Sequence, residues 1–118
     1  MSKVQEIIKR KNERKKKLKN ALESIKHQLI NLGAKKIILF GSLNEDEIDI
    51  YSDLDLFVIM PSNKTGKEWL NFIYENFERD IASDIIVYNE KEFKDNIGVN
   101  SFINEIVNTG TLIYDAKS

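Results

Sequence analysis

The 118-residue chain contains no cysteine, one proline, one histidine and five glycines, and each scarcity excludes something. Without cysteine there is no disulfide framework, no thiolate metal site and no thiol nucleophile, a composition that fits a reducing compartment. So little proline and glycine excludes collagen-like and linker-like chains. The single histidine, His27, lies off the apolar stripe of its segment and reads as a surface residue, so no serine here has an evident base to make it a nucleophile. Long hydrophobic runs are missing too: the longest spans about six residues, where a membrane helix needs about 20. No apolar stretch near the start suggests a secretory signal, so we expect a soluble, cytoplasmic protein with no membrane partner.

What is present suffices for one packed domain. Hydrophobic residues make up 42% of the chain and charged residues 31%, with six Phe, four Tyr and one Trp, which argues against wholesale disorder. The net charge of −1 conceals a division. Residues 1–36 hold twelve Lys or Arg against Glu6, Glu13 and Glu23, whereas the rest holds six basic residues against sixteen acidic. A basic arm is joined to an acidic body, so the arm is expected to meet an anionic partner, a second copy of the chain or solvent.

Within the arm, Leu18, Leu22, Ile25, Leu29 and Leu32 recur at alternating steps of four and three, the spacing of one buried helix face, and Gly33 is placed to stop the helix. Extended backwards, the stepping meets Lys15, Lys11, Ile8 and Val4, so lysines interrupt the stripe. We therefore divide the chain into a basic helical extension, residues 1–18, and a domain, residues 19–118. A solvated overhang is the simpler reading of the extension, and nucleic-acid binding the secondary one.

The body alternates short β-forming runs with helical periodicity. Lys35–Phe40 reads as a strand, residues 43–52 as a polar connection and Asp53–Met60 as a second strand. Lys67–Asp80 reads as an amphipathic helix entered through Thr65-Gly66, and Ser83–Tyr88 as a third strand. Asn89 with Glu92 has the spacing of a capping box for a helix that breaks near Gly98 and resumes through Phe102, Ile103, Ile106 and Val107. Thr111–Tyr114 is a last strand after Gly110.

Chemistry concentrates at three aspartates. Side chains alternate along a strand, so Asp53 and Asp55 share a side, and Asp84 opens the third strand in the same manner. If those strands are aligned neighbours, three carboxylates converge. Two such charges about 4 Å apart repel by about 4 kcal/mol at an effective dielectric of about 20. A divalent cation relieves that repulsion, and hard oxygen donors without His or Cys point to Mg²⁺ or Mn²⁺ with positions left open for phosphate oxygens. Gly41-Ser42, directly after the first strand, offers close backbone approach and a hydroxyl to a phosphate group. Phe57, Ile59, Ile86 and Tyr88 share the acid side and read as core beneath it.

Phe40-Gly41-Ser42, ten residues, Asp53-Leu54-Asp55-Leu56 and the later Asp84-Ile85-Ile86-Val87 resemble the DNA polymerase beta-like nucleotidyltransferase superfamily, over about residues 19–114. The likeness is closest to the minimal nucleotidyltransferases (MNT), including the MntA-type antitoxins of HEPN/MNT toxin–antitoxin systems. The resemblance implies an α/β (α+β) core: a small mixed β-sheet with packed helices, here preceded by a long basic helix. It implies that Asp53, Asp55 and Asp84 are catalytic and hold up to two Mg²⁺ ions, while Gly41 and Ser42 bind the triphosphate of ATP. It further implies transfer of AMP to a hydroxyl, such as a tyrosine, of a HEPN-domain toxin. Neutralisation of that partner by binding alone, and transfer to a small molecule, are the alternatives; homo-oligomers are also compatible.

One departure matters. Arginines and a glycine commonly follow Gly-Ser in the family, whereas this chain has Glu45, Asp46, Glu47 and Asp49. Lys64 and Lys67 are candidates to supply the missing positive charge, although lysines in a surface loop are the plainer reading.

Overall fold

Helix α1 (Lys3–Asn31) opens with a reciprocal cap: Gln5 N donates to Ser2 Oγ and Ser2 N donates to Gln5 Oε1. The structure, a computed structural model, describes residues 2–78 and 81–117. Gly33, with φ +98°, turns the chain after α1. As the stripe predicts, Leu18, Ile25 and Leu29 are buried, with Ala21 between them, while Val4, Ile7 and Ile8 in the first turns are exposed. The helix runs without a break across residue 18, and Leu18 is already core.

Four strands form one mixed sheet: β1 (Lys36–Phe40), β2 (Leu54–Met60), β3 (Ser83–Asn89) and β4 (Thr111–Asp115), in spatial order β3-β2-β1-β4. β1 is antiparallel to both β2 and β4, whereas β2 and β3 run parallel. The parallel pair needs a crossover, and helix α3 (Gly66–Asn76) provides it. Its capping box of Thr65 and Glu68 matches the expected start, but the helix ends earlier than its apolar periodicity suggests, and the last two residues of the expected helix, 79–80, lie outside the described residues. The Asn89–Glu92 box opens α4 (Glu90–Asn96), and α5 (Ser101–Thr109) follows the break at Gly98.

Strand alternation gives the sheet two apolar faces. Leu54, Leu56, Val58 and Met60 of β2 pack with α1 and with Trp69 and Ile73 of α3. On the other face Phe57 and Ile59 pack with Ile38 and with Ile103 and Ile106 of α5, and Ile86, Tyr88 and Phe93 close around them. Phe57 lies 5.5 Å from Tyr88 and 5.9 Å from Phe93 between ring centres. The face carrying the acids is therefore core below them. The expected polar connection differs in one respect: it begins as a short helix, α2 (Gly41–Glu45).

Candidate functional site

The register of the sheet sets the site. Asp55 lies opposite Phe40 of β1 on one side and opposite Asp84 of β3 on the other. Partners in register point to the same face, so the Asp55 and Asp84 side chains stand together at one end of the sheet. Phe57, two residues on from Asp55, forms the aromatic floor below. Neither carboxylate has a hydrogen-bond or ion-pair partner among the described residues. Burial, then the charge of Asp84, then that of Asp53, push the Asp55 carboxyl above its ordinary range.

Gly41 is built into the same point. Its φ of +74° is one that only glycine adopts readily, and a Cβ there would stand 2.0 Å from Asp55 Oδ2. A side chain at residue 41 would collide with the carboxylate. The next residue, Ser42, is half-buried, and its hydroxyl has no partner among the described residues.

Asp53 differs from the other two. It precedes β2 rather than opening it, and its Oδ1 accepts from Arg14 Nη2 of α1 at 3.4 Å. Arg14 Nε also donates to the Ser52 carbonyl at 2.8 Å, so one guanidinium from the basic helix anchors the residues leading into β2. Among the described residues no three His, Cys, Asp or Glu side chains come together as a ready-made metal cage. The arrangement is a facing pair, Asp55 and Asp84, with Asp53 held beside it. Hard oxygen donors, two of them partnerless, suit a Mg²⁺-sized cation that retains open positions for phosphate oxygens.

Two of the four acids after Gly-Ser, Asp46 and Asp49, are engaged within the fold. Lys15 Nζ of α1 donates to Asp46 Oδ1 at 2.7 Å and holds that carboxyl below its ordinary range. Asp49 Oδ1 accepts from Tyr51 N, and the buried Ser52 accepts from Asp49 N. Lys64 and Lys67 do not supply the missing charge. Lys64 lies between the end of β2 and the start of α3 and Lys67 in the first turn of α3, at the opposite end of the sheet, and the Lys64 ammonium sits 4.9 Å from the Trp69 ring. Arg14 and Lys15 take that place instead. Their signal in the sequence was position: they stand four and three residues before Leu18, one turn back along the buried stripe.

A nucleotidyltransferase domain profile matches residues 15–112, and the chain belongs to that family. The fold is similar to the crystal structure of a Sulfolobus solfataricus protein described as a nucleotidyltransferase, with a TM-score of 0.53 and 17% identity over 95% of this chain and 89% of that one. A search of curated proteins gave no significant match. Among the described residues no helix is long and apolar enough to cross a membrane.

Proposed function

We propose that this nucleotidyltransferase-family chain is an Mg²⁺-dependent enzyme that transfers AMP from ATP to a hydroxyl, that of a tyrosine on a HEPN-type toxin, and so acts as an antitoxin of the minimal, MntA-like kind. The observation carrying it is the partnerless Asp55–Asp84 pair, with Gly41 against Asp55. A half-buried carboxylate with a second one beside it and no partner for either destabilises a fold, so the arrangement makes sense as a site completed by a cation. When bound, Mg²⁺ supplies charge neutralisation for the triphosphate and for the departing pyrophosphate.

The chain's own groups divide the work. Asp55, central in the sheet, and Asp53 beside it hold the cation end of the triphosphate, with two ions in the full complex. The Gly41 backbone and the Ser42 hydroxyl take phosphate oxygens. Asp84 is exposed on an edge strand, the carboxylate an incoming acceptor meets first, and it orients the attacking hydroxyl. The acceptor hydroxyl gives its proton to the Asp84 carboxylate as its oxygen attacks the α-phosphorus in line, the bond to the bridging oxygen breaks, and pyrophosphate leaves. An open approach to Asp84 and the exposed Tyr51 next to the site favour an acceptor carried by another protein over one enclosed in a pocket.

The test is incubation with α-labelled ATP, Mg²⁺ and the product of the neighbouring gene. Label on that partner is expected, and Asp55→Asn should abolish it. A second reading, neutralisation by contact alone, draws on the Arg14–Asp53 pair, which engages one of the three acids. Partner neutralisation that survives Asp55→Asn would select it.

A further inference from the structure

At the end of the sheet opposite the aspartates lies a cavity of about 630 Å³. Topology puts it there: Lys36 begins β1 and pairs with Ile59 near the end of β2 and with Asp115 at the end of β4, whereas Asp55 and Asp84 lie at the other ends of their strands. Five lysines line it, Lys35, Lys36, Lys91, Lys94 and Lys117, against the acids Glu90 and Asp115. Only eight basic residues lie outside α1, and five of them gather around this one concavity. None of the five is in an ion pair among the described residues. Like charges gathered without partners repel one another, and a multivalent anion relieves that repulsion.

The surroundings narrow the ligand. Ile59 and Phe93 give the cavity an apolar wall, with Phe93 fixed against Phe57, and Ser62 adds a hydroxyl. The lysines come from three separate segments and converge on a hollow instead of following a line, which suits a compact anion better than an extended strand. The volume lies in the ordinary range for small-molecule sites, about 300–1,000 Å³.

We propose that this cavity is a second ligand site, for a phosphorylated small molecule of nucleotide size, with its phosphates among the lysines and its flat apolar part against Phe93 and Ile59. The site is independent of the transfer reaction proposed above. Charge attraction of this kind weakens with salt.

The experiment uses the full chain carrying Asp55→Asn, in EDTA, so that the aspartate end is disabled, with ADP as probe in calorimetry and in amide chemical-shift mapping. One equivalent is expected to bind, with shifts centred on residues 35–36, 59–62, 90–94 and 115–117 and absent from Gly41 and Asp84. Lys91→Gln/Lys94→Gln and, separately, Lys36→Gln/Lys117→Gln should each weaken binding at least about tenfold, and adenosine, lacking phosphate, should bind far more weakly than ADP. Shifts centred on Gly41, affinity indifferent to both lysine pairs, absence of ADP binding, or binding of single-stranded oligonucleotide but not ADP would each overturn the proposal. Label transfer to a partner is read on the unsubstituted chain, so failure there leaves this outcome separate.

Discussion

The two ends of β3 are built on opposite principles. At one end Asn89 is buried and satisfied throughout: its Oδ1 accepts from Glu92 N, its Nδ2 donates to the Lys64 carbonyl, and its own N–H reaches Glu92 Oε1. The same Glu92 oxygen accepts from Gly66 N, and Trp69 Nε1 donates to the Pro61 carbonyl nearby. That end ties β2, α3 and α4 into one framework. At the other end Asp84 faces Asp55 with no partner for either, a glycine forced into positive φ beside them and a carboxyl pushed upward. Buried polar groups at the Asn89 end are satisfied within the fold, whereas the carboxylates at the end proposed to receive the triphosphate are not.

The largest effect expected is on transfer through the aspartate end. Asp55→Asn should cut AMP transfer at least about 100-fold, since even groups that merely support metal ligands are worth about 10–100-fold. Gly41→Ala should do the same and also destabilise the fold by about 1–3 kcal/mol, because strain in φ adds to the clash with Asp55; labelled transfer and denaturant melts check both. The opposite end should behave in the opposite way. Glu92→Ala removes the acceptor shared by two backbone N–H groups and should cost about 1–3 kcal/mol in chemical denaturation, with turnover per folded molecule unchanged.

Arg14→Gln sharpens the contrast at smaller scale. It should lower transfer about tenfold and speed amide exchange at residues 49–53, with little change in global stability, if its role is to hold the approach to β2. The smallest effect belongs to Lys15→Ala, whose exposed pair with Asp46 is worth about 0–1 kcal/mol and should fade in high salt.

Most of the fold was legible in the sequence because most elements carried their own punctuation: Gly33 after α1, Thr65-Gly66 before α3, Asn89 with Glu92 before α4, and Gly98 and Gly110 at breaks. Strand alternation likewise placed Phe57 and Ile59 on the acid side, where they are core. What was not legible depended on distance along the chain. No local pattern told that Arg14 meets Ser52 and Asp53, or that Lys15 engages an acid of the segment that looked hostile to a triphosphate. Helix α2 was hidden because five residues are too few for a periodic signal, and Lys64 and Lys67 looked useful only until the direction of β2 put them at the wrong end. The alignment of Asp55 with Asp84 was conditional on parallel pairing of β2 and β3, which the crossover through α3 decides.

The proposed function requires that Asp55 be held at a cost in the metal-free fold, a cost that a cation beside it would relieve. Since its carboxyl is raised, the folded chain keeps a proton that the unfolded chain gives up; metal-free stability therefore falls as pH rises through the interval between the ordinary and the raised value, and stays lowered above it. Thermal melting of the chain and its Asp55→Asn variant at neutral pH, in EDTA and across a Mg²⁺ titration, tests this most directly. The variant should melt higher than the parent in EDTA and ignore Mg²⁺, while the parent climbs with Mg²⁺. A variant that melts lower in EDTA, or that responds to Mg²⁺ as the parent does, would contradict it.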